Sequence, residues 1–119
     1  MRVIKISEVK KELFRNPLFT GSDVTRQVLL PYSKEYNVKV VNFGKGVRNK
    51  FHTYDCKQIL VVTFGKGMIA TETEEKVITV GEVVIIPAGE KHRHGAIKDS
   101  KFSHIYVSRL GSKLTQLEE

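Results

Sequence analysis

The 119-residue chain carries four histidines, and all lie beyond residue 50: His52, His92, His94 and His104. All lie in the part of the chain whose short runs are rich in Val, Ile, Phe, Thr and Tyr, the composition of β-strands. Side chains two apart on a strand share a face. His52 therefore points with Tyr54, His92 with His94, and His104 with Phe102 and Tyr106. Three histidine-bearing strands that converge on one interior bring their imidazoles together. Neutral imidazole binds Zn, Fe, Mn, Cu and Ni, so convergence makes a metal site; scattered histidines are only hydrogen-bonded core or surface residues.

The elements that must position these groups are strands. From Val24 onward, short β-forming runs alternate with Gly, Pro or charged turns, which predicts strands over 24–30, 36–43, 50–54, 58–64, 67–73, 76–80, 82–86, 91–97 and 102–108. That many short strands imply a sandwich or barrel rather than a parallel α/β sheet. Gly65-Lys66-Gly67 and Glu74-Glu75 read as hairpin turns. Ile59–Val62 and Val83–Ile86 are apolar on both faces, as expected for strands with a lumen on one side and a second layer or a partner subunit on the other. Before Val24, Ser7 caps an expected short helix through Leu13 or Phe14, stopped by Asn16-Pro17. The expected organisation is an N-terminal helix and edge strand over 1–30, a barrel over 31–110 and a C-terminal tail over 111–119, in which Lys113 to Glu119 is polar and able to fray.

Composition narrows the function classes. The length suits a single domain. One cysteine, Cys56, excludes an internal disulfide and fits a reducing compartment. The first residues lack the apolar stretch of a secretory signal, and no window approaches the ~18 apolar residues of a spanning helix. A cytoplasmic protein with no membrane partner is the expectation. The formal charge of +7 raises the question of nucleic acid. The lysines are dispersed, Glu72, Glu74 and Glu75 interrupt them, and only Lys10, Lys11 and Arg15 cluster. No nucleic-acid-binding motif accompanies them, so a solvated basic surface and no nucleic-acid partner are expected.

Two segments resemble the motifs of the cupin family. GVRNKFHTYDCKQILVVTFG, Gly46 to Gly65, matches the first motif at Gly46, His52, Gln58 and Gly65. Tyr54 stands where that motif has its second histidine, and Gln58 where it has glutamate. GEVVIIPAGEKHRHGA, Gly81 to Ala96, matches the second at Gly81, Pro87, Gly89 and His92, with Ala96 in place of the usual asparagine. The resemblance implies an all-β double-stranded β-helix, the jelly-roll cupin barrel, here with a short N-terminal helix. It also implies one divalent metal (Mn, Fe, Zn, Ni or Cu) at His52, Tyr54, Gln58 and His92. A glutamine ligand is neutral, which leaves the ion more weakly held but a stronger Lewis acid. A phenol titrates near pH 10, so Tyr54 binds as phenolate only if the metal drives off its proton. Cys56, between these positions, is either a substitute thiolate or a small buried apolar residue.

Within the family, Gln58, the stretch Ala88 to Ala96 and Ser103-His104-Ile105 are similar to small manganese cupins of the bacterial hydroxynitrile lyase kind. By that resemblance His94 and His104 are acid/base groups near the substrate. The implied function is lyase or dioxygenase chemistry on a small organic molecule. The alternatives are a non-catalytic ligand-binding cupin and a metal-free pseudo-cupin. Lys91 and Arg93, on the face opposite His92, are expected to meet solvent. The family also implies a homodimer, with Leu13, Phe14, Leu18 and Phe19 covering the interface; folding of these residues over the chain's own barrel mouth is the alternative.

Overall fold

The computed structural model describes residues 1–119. Ten strands follow one another: β1 (Glu12–Leu13), β2 (Val24–Val28), β3 (Tyr36–Phe43), β4 (His52–Tyr54), β5 (Gln58–Ala70), β6 (Glu75–Thr79), β7 (Val83–Ile86), β8 (Arg93–Ala96), β9 (Phe102–Arg109) and β10 (Leu114–Gln116). Eight form one curled sheet in the order β1-β2-β3-β9-β5-β6, with β7 and β8 also paired to β5. The other two, β4 and β10, pair with each other. The expected all-β barrel is observed, and no helix is long and apolar enough to cross a membrane.

The long strand β5 organises the barrel. Its first half pairs with β7 and β9, its second half with β6 and β8. The expected Gly65-Lys66-Gly67 hairpin is therefore not formed; the chain continues straight through. What occurs is an irregularity in the β5–β9 register between Val62 and Phe64, the kind of bulge that bends a strand from one layer into the next. Gly65 follows at φ 70°, and a Cβ there would collide with the Lys101 carbonyl. The glycine serves a bend rather than a turn.

Alternation decides what lies inside. Along β9 the residues Phe102, His104, Tyr106 and Ser108 are buried, while Ser103, Ile105 and Val107 are only partly so. Val24, Val41, Phe43, Leu60, Val62, Ile78, Ile86, Ala96, Phe102 and Tyr106 form one core cluster.

Two terminal expectations are corrected. The N-terminal helix is reduced to a single 3-10 turn, Ile6–Glu8. Gln27 Nε2 donates to the Ile6 and Val9 carbonyls at 2.9 and 3.0 Å, and Glu12 and Leu13 pair along β2. An isolated helix this short is marginal in water, so sheet-edge pairing wins. The tail is not frayed: β10 pairs with β4, and Glu118 Oε1 accepts the Phe51 N–H at 2.8 Å.

Candidate functional site

His52 and His92 begin as a backbone pair. Each N–H donates to the other's carbonyl, at 3.0 and 3.1 Å, which makes them directly opposed residues on an antiparallel bridge. Their side chains emerge on one face, with ring centroids 4.3 Å apart. Each ring is held in the same way: His52 Nδ1 lies 2.6 Å from the Lys50 carbonyl, and His92 Nδ1 lies 2.8 Å from that of Glu90. A carbonyl only accepts, so both Nδ1 atoms carry the proton and both Nε2 atoms keep a lone pair. His92 Nε2 and Gln58 Oε1 are buried without a partner. An orphaned acceptor is costly in a dry interior, so these two groups are available to a ligand.

His94 and His104 are arranged differently. Their Nε2 atoms lie 3.1 Å apart. His104 Nδ1 donates to the Ile105 carbonyl at 3.2 Å, so His104 Nε2 accepts and His94 Nε2–H donates. Asn49 closes the chain: its Oδ1 accepts the His94 backbone N–H at 2.8 Å, and its Nδ2 approaches the His94 ring at 3.4 Å. Backbone proximity places the asparagine there, because Asn49 N–H also donates to the His94 carbonyl. Gly95 permits the approach; a Cβ there would strike the Arg48 backbone. The ring pair is thus satisfied internally.

Burial sets the electrostatics. Desolvation lowers all four imidazoles, His52 and His104 to about 4 and His94 well below the ordinary value. All four are neutral at pH 7. Burial, and then the neighbouring Tyr106 phenol, raises Tyr54 above its usual value, so Tyr54 is a protonated phenol. It meets His52 edge-on, with ring centroids 5.4 Å apart.

His52, Tyr54, Gln58, His94 and His104 line one cavity of about 50 Å³, together with Tyr106, Lys39 and Asn49. His92 does not line it and instead borders a separate pocket with Ile69, Val84 and Ile86; its ring runs parallel to that of His94 with centroids 6.1 Å apart. Phe14, Leu18 and Phe19 roof the space, so three of the four N-terminal apolar residues lie over the chain's own barrel mouth; Leu13 is exposed. At roughly 10–15 Å³ of such space per water, the cavity accepts about three to five waters, or a ligand of few heavy atoms. No three His, Cys, Asp or Glu side chains converge as a metal site. Cys56 lies outside the cavity lining and donates to Ser112 Oγ at 3.0 Å.

Lys91 and Arg93 do not simply meet solvent. Both lie over the Phe51 ring, at 5.1 and 4.6 Å, and Lys91 also reaches Glu72 at 3.9 Å. The sequence reading missed Lys39 and Asn49. Lys39 had a signal, since alternation along β3 places it on the face of Val41 and Phe43. Asn49 had none, because it lies in a loop placed by tertiary contacts.

No family model matches the chain. An (R)-mandelonitrile lyase of Granulicella tundricola is 39% identical over 77 residues, which cover 61% of this chain and 57% of that protein. The match thus spans little more than half the length of that relative. Among solved structures, a cupin-like protein of Thermotoga maritima superposes with a TM-score of 0.85 at 29% identity, over 98% of this chain and 90% of the other. The polyketide cyclase RemF of Streptomyces resistomycificus gives 0.82 at 17% identity, over 100% and 88%. A predicted oxalate decarboxylase of Thermotoga maritima gives 0.77 at 19%, over 98% and 100%.

Proposed function

We propose that this chain, a cupin by fold, is a metal-dependent lyase acting on a small aliphatic substrate. The observation that carries the reading is the His52–His92 pair. Both rings are fixed by backbone carbonyls with Nε2 lone pairs free, beside an orphaned Gln58 oxygen. Such carbonyl contacts are how proteins orient metal-binding imidazoles. His52, His92 and Gln58 fit a divalent ion. Tyr54, held as a neutral phenol, fits poorly as the fourth ligand and instead offers a hydrogen-bond donor to whatever occupies the cavity. When bound, the ion supplies Lewis-acid polarisation of a substrate oxygen.

The chain's own residues supply the rest. His94 and His104 are neutral at pH 7 and border the same space; His104 Nε2 is the one of the two placed to accept a proton, while His94 Nε2–H donates a hydrogen bond. A substrate oxygen that displaces the His94–His104 hydrogen bond gives its proton to the freed Nε2 lone pair of His104. Phe14 and Phe19 exclude water from above. The part-length similarity to an (R)-mandelonitrile lyase supports lyase over dioxygenase chemistry, while the cavity volume favours a ligand smaller than that phenyl cyanohydrin.

Element-resolved metal analysis of protein purified without chelator, with anomalous scattering from a crystal, tests the reading. One divalent ion per chain bound to His52, His92 and Gln58 is expected, and Tyr54→Phe retains it. Protein that stays metal-free after incubation with Mn, Fe, Zn, Ni and Cu salts overturns it.

We also propose a cytoplasmic homodimer. Val83 and Ile85 are more than half exposed on β7, and they pair with Val61 and Ile59 of β5, which pair in turn with Ile105 and Val107 of β9. Such a continuous apolar outer face suits a second copy. Sedimentation should give a dimer for the native chain and a monomer for Ile85→Lys.

A further inference from the structure

Lys39 is the one charged side chain lining the cavity, and no carboxylate joins it there. It makes no hydrogen bond and no ion pair; its Nζ instead lies 4.7 Å from the Phe14 ring centroid and 5.2 Å from that of Tyr106. Arg26 sits on the same roof residue, its guanidinium 4.9 Å from the Phe14 centroid, and its Nε is buried without a partner. The two cations are also close enough to repel. A half-buried ammonium beside a second unpaired cation, with only aromatic faces for company, is an uncompensated charge. Burial and the Arg26 charge depress Lys39 to about 8, so it remains mostly protonated at neutral pH.

The rest of the lining cannot neutralise it. Tyr54, Tyr106, Asn16, Asn49 and Gln58 are all neutral donors or acceptors. Donors around one cation, in a space for few heavy atoms, are complementary to a compact anion. A tetrahedral phosphate would need more donors than one ammonium and scattered neutral groups supply. A planar carboxylate needs one charged contact and one or two hydroxyl or amide donors.

We propose that the cavity selects small organic carboxylates and that Lys39 is the specificity-determining residue that binds the carboxylate group. The proposal takes the cavity to be the binding site, as the functional reading does, but does not depend on a metal being present.

The test titrates acetate, glycolate and oxalate into the protein as purified and again after chelation. Acetamide, glycolamide and inorganic phosphate serve as controls, with calorimetry for affinity and amide chemical shifts for location. Lys39→Met keeps the stem and its packing, and Lys39→Arg keeps the charge. The expected result is carboxylate binding in both preparations, with shifts at Tyr54, Gln58 and Tyr106. Affinity should fall tenfold or more in Lys39→Met and be largely kept in Lys39→Arg, while the amides bind weakly and equally to all three proteins. Equal carboxylate affinity in Lys39→Met and the native chain overturns the proposal, as does no binding at all, or phosphate binding as tightly as glycolate. Lower thermal stability of Lys39→Met with unchanged carboxylate affinity would show an aromatic clamp and nothing more. Failure of the metal reading appears separately, as absent metal in the purified protein with carboxylate binding intact.

Discussion

The two histidine pairs stand side by side, and three of their four rings line one cavity, yet only one pair keeps its Nε2 lone pairs free. In the His52–His92 pair each ring spends its proton on a backbone carbonyl two residues earlier, and both Nε2 lone pairs remain available. In the His94–His104 pair the Nε2 atoms face each other, and the lone pair of one is used by the proton of the other. The difference teaches that a histidine's role is set by what its second nitrogen touches. Burial lowers all four imidazoles, the His94–His104 pair being the more deeply enclosed, and leaves all four neutral at pH 7, so charge does not distinguish the pairs.

The largest expected effect removes the open pair. His92→Ala should weaken metal binding by a thousandfold or more, read by competition with a chromophoric chelator, whereas His104→Leu should keep full stoichiometry. Equal losses in the two variants would erase the distinction between the pairs.

Acid should strike both pairs of the chelated protein. His104 has an ordinary value of 6.5 and about 4 in the fold, so between these values the unfolded chain binds more protons. Stability is then complete above about pH 6.5 and falls as the pH drops toward 4, by up to about 1.4 kcal/mol per pH unit for each such histidine. Urea midpoints at pH 7 and pH 5 measure the slope, and His104→Leu should reduce it by one proton. Bound metal should add stability at pH 7 and carry the acid dependence of His52 and His92 to lower pH. It keeps them unprotonated in the fold while the unfolded chain still takes up protons, and it should leave the His94–His104 contribution unchanged.

Asn49 affects one pair only. Asn49→Ala leaves the buried His94 backbone N–H without its acceptor and removes the Asn49 contact to the ring, and should cost about 1–3 kcal/mol in chemical denaturation. Metal stoichiometry should stay unchanged. The smallest effect belongs to the strand that carries His52. Glu118→Ala removes the acceptor of the Phe51 N–H and the 3.3 Å contact to Arg48, at about 1 kcal/mol or less because the pair is partly exposed. A faster amide exchange confined to Phe51 and His52 would mark local fraying of β4.

Much of the strand pattern was legible because each barrel strand has one face inside. Period-two alternation put His104 with Phe102 and Tyr106, and those residues are indeed buried together. The reading failed where a residue's local preference met a non-local competitor. Ser7 to Phe14 has a helix cap and apolar spacing, but Gln27 takes its carbonyls and β2 takes its edge. Gly65 and Gly67 look like a turn, yet β5 runs through both, and the positive φ of Gly65 follows an irregularity at Val62–Phe64 inside the strand.

By itself the sequence determined the all-β barrel, the strand faces and the histidines that share them, since these follow from residue type and a two-residue repeat. Only the tertiary structure decided which imidazole nitrogens stay free, that Asn49 closes one pair, and that Lys39 enters the same cavity without a counter-ion. Those outcomes depend on contacts between residues tens of positions apart, and no local pattern encodes which partner arrives first at a lone pair.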